Sequence, residues 1–84
     1  MRLIGRVQGV YYRASTKEKA DELGLTGWVK NEPNGEVSIA VQGAPKLVEQ
    51  FTAWCAIGPP MAAVDQIIQI PTTTKDYSNF TILR

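Results

Sequence analysis

The chain predicts an α/β (α+β) sandwich, with two helices on one face of a four- or five-stranded, mostly antiparallel sheet. Three features point there. Two segments, one from Tyr12 to Leu23 and one from Pro45 to Cys55, place apolar residues at helical spacing. Shorter segments before, between and after them are apolar or alternate as strands do. The resulting order, β-α-β-β-α-β, is that of the ferredoxin-like fold.

Leu3 to Val7 reads as the first strand, kept short because only four residues precede Gly5. The first helix, Tyr12 to Leu23, carries Tyr12, Thr16, Ala20 and Leu23 along one face. Gly24 stands where a helix end often turns left-handed, and Leu25 can make the accompanying apolar contact. Thr26 to Asn31 and Glu36 to Gln42 form a hairpin, the second arm alternating Val37, Ile39 and Val41. Between the arms, Pro33 cannot continue a ladder and Asn34-Gly35 tolerates positive φ. Pro45 suits the first turn of the second helix, whose stripe is Leu47, Val48, Phe51, Trp54 and Cys55, and Gly58-Pro59-Pro60 ends it. Ala62 to Ile70 is a fourth strand and Ser78 to Leu83 a fifth, joined by a polar loop at 71–76 expected to be the most mobile.

Length and composition bound the function. Residues 1–84 make one domain, small enough to bury only about 60–65% of its unfolded surface. No stretch approaches the ~20 apolar residues of a membrane span, and the first residues lack a signal-peptide pattern, so a cytoplasmic protein without a membrane partner is expected. Nine basic against eight acidic residues give a net charge of +1, too balanced for a broad nucleic-acid face, so any anion site is local. Histidine is absent, which removes the usual metal ligand, general base and imidazole-activated nucleophile together. Neither metal nor cofactor is expected. The single cysteine, Cys55, falls in the stripe of the second helix and reads as a small buried hydrophobe, as Phe51 and Trp54 read as core.

Two motifs carry the functional signal. Gly5-Arg6-Val7-Gln8-Gly9-Val10-Tyr11-Tyr12-Arg13 leads a strand into a glycine-containing loop and places an arginine at a helix start. Unpaired N–H groups and a guanidinium there suit a phosphate, although such a stretch alone is equally a tight turn with a solvated arginine. The second motif, Gly27-Trp28-Val29-Lys30-Asn31 followed by Gly35, Val37 and Gly43, shifts that balance toward function. Together the two closely resemble the signature motifs of the acylphosphatase family, and the resemblance extends through Ala20, Leu23-Gly24-Leu25, Trp54 and Gly58-Pro59-Pro60. In the first motif Tyr12 stands where the family more often has phenylalanine, so its phenol must be paired or reach the surface.

The resemblance implies the same ferredoxin-like fold and hydrolysis of carboxyl-phosphate anhydrides without metal or covalent intermediate. It assigns phosphate binding to Arg13 and the cradle Gln8-Gly9-Val10, and water positioning to Asn31. Backbone N–H groups from Gln8 through Tyr11 and Tyr12 complete the cradle. In the usual 4-1-3-2 strand order the first and second strands are parallel with the third between them. Their ends emerge at one edge about 10 Å apart, Arg13 following the first and Asn31 closing the second. Asn31 can orient a water without repelling a dianion, and no strong base lies in either motif. Such a site suits a leaving group that departs unaided, such as a carboxylate with a pKa near ~4. Lys30 reads as a solvated strand residue, Gly27 and Gly43 as backbone positions, and Trp28 as packing or cleft wall. The expected partner is a small-molecule acyl phosphate, with inorganic phosphate as product or inhibitor, acting on a monomer. The alternatives on this fold are a non-catalytic anion-binding module, the phosphate-binding domain of a larger maturation enzyme, and an RNA-binding module. The third strand, without an aromatic for base stacking, speaks against RNA.

Overall fold

The computed structural model describes residues 1–70 and 77–83; the loop expected at 71–76 lies outside the described residues. The elements are β1 (Arg2–Arg6), α1 (Tyr12–Glu22), β2 (Thr26–Asn31), β3 (Val37–Gln42), α2 (Pro45–Ile57), β4 (Ala63–Ile68) and β5 (Phe80–Leu83). One sheet holds the strands in the order β4-β1-β3-β2-β5, all pairs antiparallel except β2 with β5. The 4-1-3-2 order is therefore present, with β5 added outside β2. β4 is shorter than the run Ala62 to Ile70, and β5 begins at Phe80 instead of Ser78.

Local chemistry explains the boundaries. α1 ends in a Schellman motif: Leu25 N–H donates to Ala20 O at 2.8 Å and Gly24 N–H to Asp21 O at 3.1 Å. The β2–β3 turn is closed by Glu32 N–H to Glu36 O at 2.9 Å and Gly35 N–H to Glu32 O at 3.1 Å, with Asn34 Oδ1 accepting from Glu36 N–H at 3.1 Å. α2 has Pro45 in its first turn and ends where Gly58 N–H donates to Trp54 O at 2.8 Å. At the end of β1 the register against β4 shifts between Ile4 and Gly5, and Val7 N–H turns back to Gly5 O at 3.1 Å.

Both helices cover one sheet face around a single core. From the strands it takes Leu3, Val29, Val37, Ile39 and Phe80, and from the helices Tyr12, Ala20, Phe51 and Cys55. Phe51 and Phe80 meet edge to face with centroids 5.9 Å apart, tying α2 to the edge strand β5. Period-2 alternation in β2 turns Gly27 and Val29 toward the helices and Trp28 and Lys30 toward the open face. At Gly27 an added Cβ would strike the main-chain carbonyl of Ala40 on β3, so two strands approach there as only glycine permits. On the open side, Arg2 grips Glu36 through Nε at 2.8 Å and Nη2 at 3.0 Å, which holds the Glu36 carboxyl below its ordinary pKa. Among the described residues no helix is long and apolar enough to cross a membrane.

Candidate active site

The β1–α1 connection is built to leave main-chain donors unused. Gly9 and Tyr11 both have left-handed backbones, with φ of 71° and 66°, while Val10 between them does not. Alternating handedness of this kind points successive N–H groups toward one side, the arrangement called a nest. Tyr11 then caps α1 with its carbonyl, and Ser15 N–H, at 3.1 Å, makes the first intrahelical bond. The N–H groups of Tyr12, Arg13 and Ala14 precede that bond, and no described side chain caps the helix. The positive end of the α1 dipole lies here as well.

Two side chains fasten this loop to the rest of the fold. Tyr12 is buried, and its hydroxyl donates to Cys55 O at 2.6 Å while its ring lies against Trp54 at 6.0 Å. The phenol is thus paired, and burial raises its pKa far above the ordinary tyrosine range. Gln8 Nε2 donates to two carbonyls of the β2–β3 turn, Glu32 O at 2.7 Å and Glu36 O at 2.8 Å. The Gln8 side chain is therefore a strut between the first motif and the turn that follows Asn31.

A cleft of about 390 Å³ opens where these parts meet, lined by Val7, Gly9, Tyr11, Tyr12, Arg13, Ala14, Asn31 and Ile82. Tyr12 has its ring in the core, so it presents main chain here. Arg13 Nη1 reaches Leu83 O at 3.4 Å, a long contact that occupies one of the five guanidinium donors. Asn31 ends β2 on the helix side of the sheet, and its Oδ1 is buried with no hydrogen-bond partner among the described residues. A buried polar atom normally has a partner. An acceptor left open inside a cleft is suited to one that arrives with a ligand or a water.

Of the residues read as a cradle, Gly9, Tyr11, Tyr12 and Arg13 line the cleft, and Asn31 lies with them. Gln8 and Val10 do not line it: Gln8 is engaged by the turn, and Val10 packs against the core. Trp28 and Lys30 are absent from the lining because strand alternation sends them to the other face. Ile82 was not legible as a wall, since only the parallel pairing of β5 with β2 brings it there. Cys55 lies outside the lining, buried, with desolvation pushing its thiol up to about 12. Among the described residues no three His, Cys, Asp or Glu side chains group as metal ligands do.

The fold and this turn define an α+β sandwich with unused N–H groups and an arginine at one cleft, donors of the kind an anion site requires. The acylphosphatase family model matches residues 1–82, and the chain belongs to that family. It is 47% identical over 83 residues to an acylphosphatase of Methylococcus capsulatus, covering 98% of this chain and 90% of that one. An acylphosphatase structure from Coxiella burnetii superposes with a TM-score of 0.93 at 40% identity, over 98% of this chain and 86% of that one. One from Bacillus subtilis gives 0.93 at 31%, over 99% and 93%.

Proposed function

We propose that the cleft at Arg13 and Asn31 is where this chain hydrolyses acyl phosphates to a carboxylate and inorganic phosphate. The observation that carries the assignment is the open Asn31 acceptor lying in one cleft with the arginine and the unused N–H groups of the α1 start.

Arg13 and the N–H groups of the loop hold the phosphoryl oxygens and offset their charge as the bond to the acyl oxygen lengthens. Asn31 Oδ1 accepts a hydrogen bond from a water and aims its oxygen at phosphorus, in line with the leaving group. The new P–O bond forms from the water's lone pair. The P–O bond to the acyl group breaks with its electrons remaining on the carboxylate, and the water's protons stay on the inorganic phosphate. A carboxylate leaving group needs no acid, and this proton balance needs no protein base. The reaction therefore needs neither metal nor cofactor, and the same reading takes the small-molecule substrate as the partner of a monomer acting in the cytoplasm. The test is release of phosphate from acetyl phosphate by purified protein with EDTA present. Undiminished turnover is expected, and activity that vanishes with EDTA and returns with a divalent cation excludes the mechanism.

A further inference from the structure

Glu36 is engaged through both its side chain and its main chain, and each engagement reaches a different part of β1. Its carboxylate takes three donors: Arg2 Nε at 2.8 Å, Arg2 Nη2 at 3.0 Å and Asn34 Nδ2 at 2.9 Å. Its main-chain carbonyl accepts from the Gln8 amide at 2.8 Å and from Glu32 N–H at 2.9 Å. One residue therefore holds β1 at its start and again just past its end.

The span between those grips has little else to fix it to the hairpin. β2 is registered against β3 from Thr26 with Gln42 through Asn31 with Val37, so a full ladder fixes Asn31. β1 is registered against β3 only at Arg2 with Ser38 and Leu3 with Val37. Beyond Leu3 it runs on toward the phosphate loop without a β3 partner, and its register against β4 slips between Ile4 and Gly5. Stability does not account for the ion pair, since one whose arginine side chain is 43% exposed contributes little to folding. We propose that Glu36, anchored by Arg2, is a positioning residue for the hydrolysis: through the Gln8 amide it sets where the Arg13 loop lies relative to Asn31. This rests on the reading of the cleft as the hydrolytic site and adds a pair outside its lining that controls its geometry. Without the carboxylate the turn is released from the start of β1, and the carbonyls that hold Gln8 shift with it. A displaced loop carries its phosphate along, because the loop and Arg13 alone make that grip. What is lost is the aim of the water held by Asn31, so the effect falls on kcat.

The experiment measures kcat on acetyl phosphate and Ki for inorganic phosphate in the wild type, Glu36→Ala, Glu36→Gln, Arg2→Ala, Gln8→Ala and the Gln8→Ala, Glu36→Ala double variant. Denaturant midpoints show that each is folded under the assay conditions. Glu36→Ala and Arg2→Ala are each expected to lower kcat about 5- to 10-fold with Ki unchanged, less than the ~10²-fold that a misplacement of about 1 Å can cost. Glu36→Gln keeps an acceptor for Arg2 and recovers part of the loss. In the Gln8→Ala background, Glu36→Ala lowers kcat by less than about 2-fold more, because both act along one path. An unchanged kcat in folded Glu36→Ala overturns the proposal. So does a full loss that persists in the Gln8→Ala background, or a rise in Ki that parallels the fall in kcat, the mark of a loosened fold. A wild type that leaves acetyl phosphate intact removes the reading of the cleft itself, whereas an active wild type matched by Glu36→Ala removes this inference alone.

Discussion

Asn31 and Arg13 differ in what the fold leaves open on each. Asn31 offers a buried acceptor with no partner among the described residues, whereas Arg13 offers a planar set of donors of which one touches Leu83. Their replacements should therefore fail differently. Asn31→Ala is expected to lower kcat by ~10²-fold or more while Ki for phosphate stays within a few-fold, and Asn31→Asp to weaken phosphate as well, since a carboxylate repels the dianion. Steady-state kinetics with phosphate as inhibitor checks both. Arg13→Lys should be nearly as damaging as Arg13→Ala, because an ammonium cannot grip two phosphate oxygens in one plane. At the same scale, Cys55 and Tyr12 set an alkaline limit. Burial raises the Cys55 thiol from 9.0 to about 12 and moves the Tyr12 phenol in the same direction. Each group ionises first in the unfolded chain, so stability is complete below pH 9 and falls as pH rises from there toward 12. Denaturant midpoints measured across that interval should decline, and Cys55→Ala should flatten part of the slope at a cost of ~1 kcal/mol near neutrality.

Among the elements, the β2–β3 turn does more than connect its strands. It holds the Gln8 amide through two carbonyls, and so fixes the β1–α1 loop relative to the end of β2. Gln8→Ala is expected to cost ~1–2 kcal/mol and to lower kcat, with denaturation and kinetics measured on the same protein. The helices and the hairpin were legible in the sequence because their determinants are local: the apolar stripe of α2, the glycine after α1, and Asn34-Gly35 in the turn. The convergence of Arg13 and Asn31 followed from strand order alone. What could not be read depends on distant partners. The engagement of Gln8 by carbonyls 24 and 28 residues away, the left-handed Tyr11 and the Ile82 wall all arise from tertiary contacts. Gly27 is an intermediate case: its motif position was visible, but the collision with Ala40 that requires it shows only once β3 is paired. Gly27→Ala should destabilise by about 3 kcal/mol or more, seen as a lower melting temperature.

For the molecule as a whole, a ligand that binds only the folded cleft should stabilise everything coupled to it. Inorganic phosphate at about ten times its Kd adds ~1.4 kcal/mol, which in a domain of this size raises Tm by about 6–11 °C. Arg13→Ala should lose most of that rise in a thermal scan. The cleft also depends on a strand that contributes no side chain to its lining. β3 pairs with both β1 and β2, and only through it do the loop ending at Arg13 and the strand ending at Asn31 come alongside each other. Residues 1–31 contain every side chain assigned to the chemistry, yet a peptide of that length has nothing to align them. On refolding from denaturant, turnover should consequently return with the same rate constant as burial of the core, with no earlier active species. The enzyme thereby reports on its own completion, because a chain that has not placed its central strand has nothing with which to catalyse.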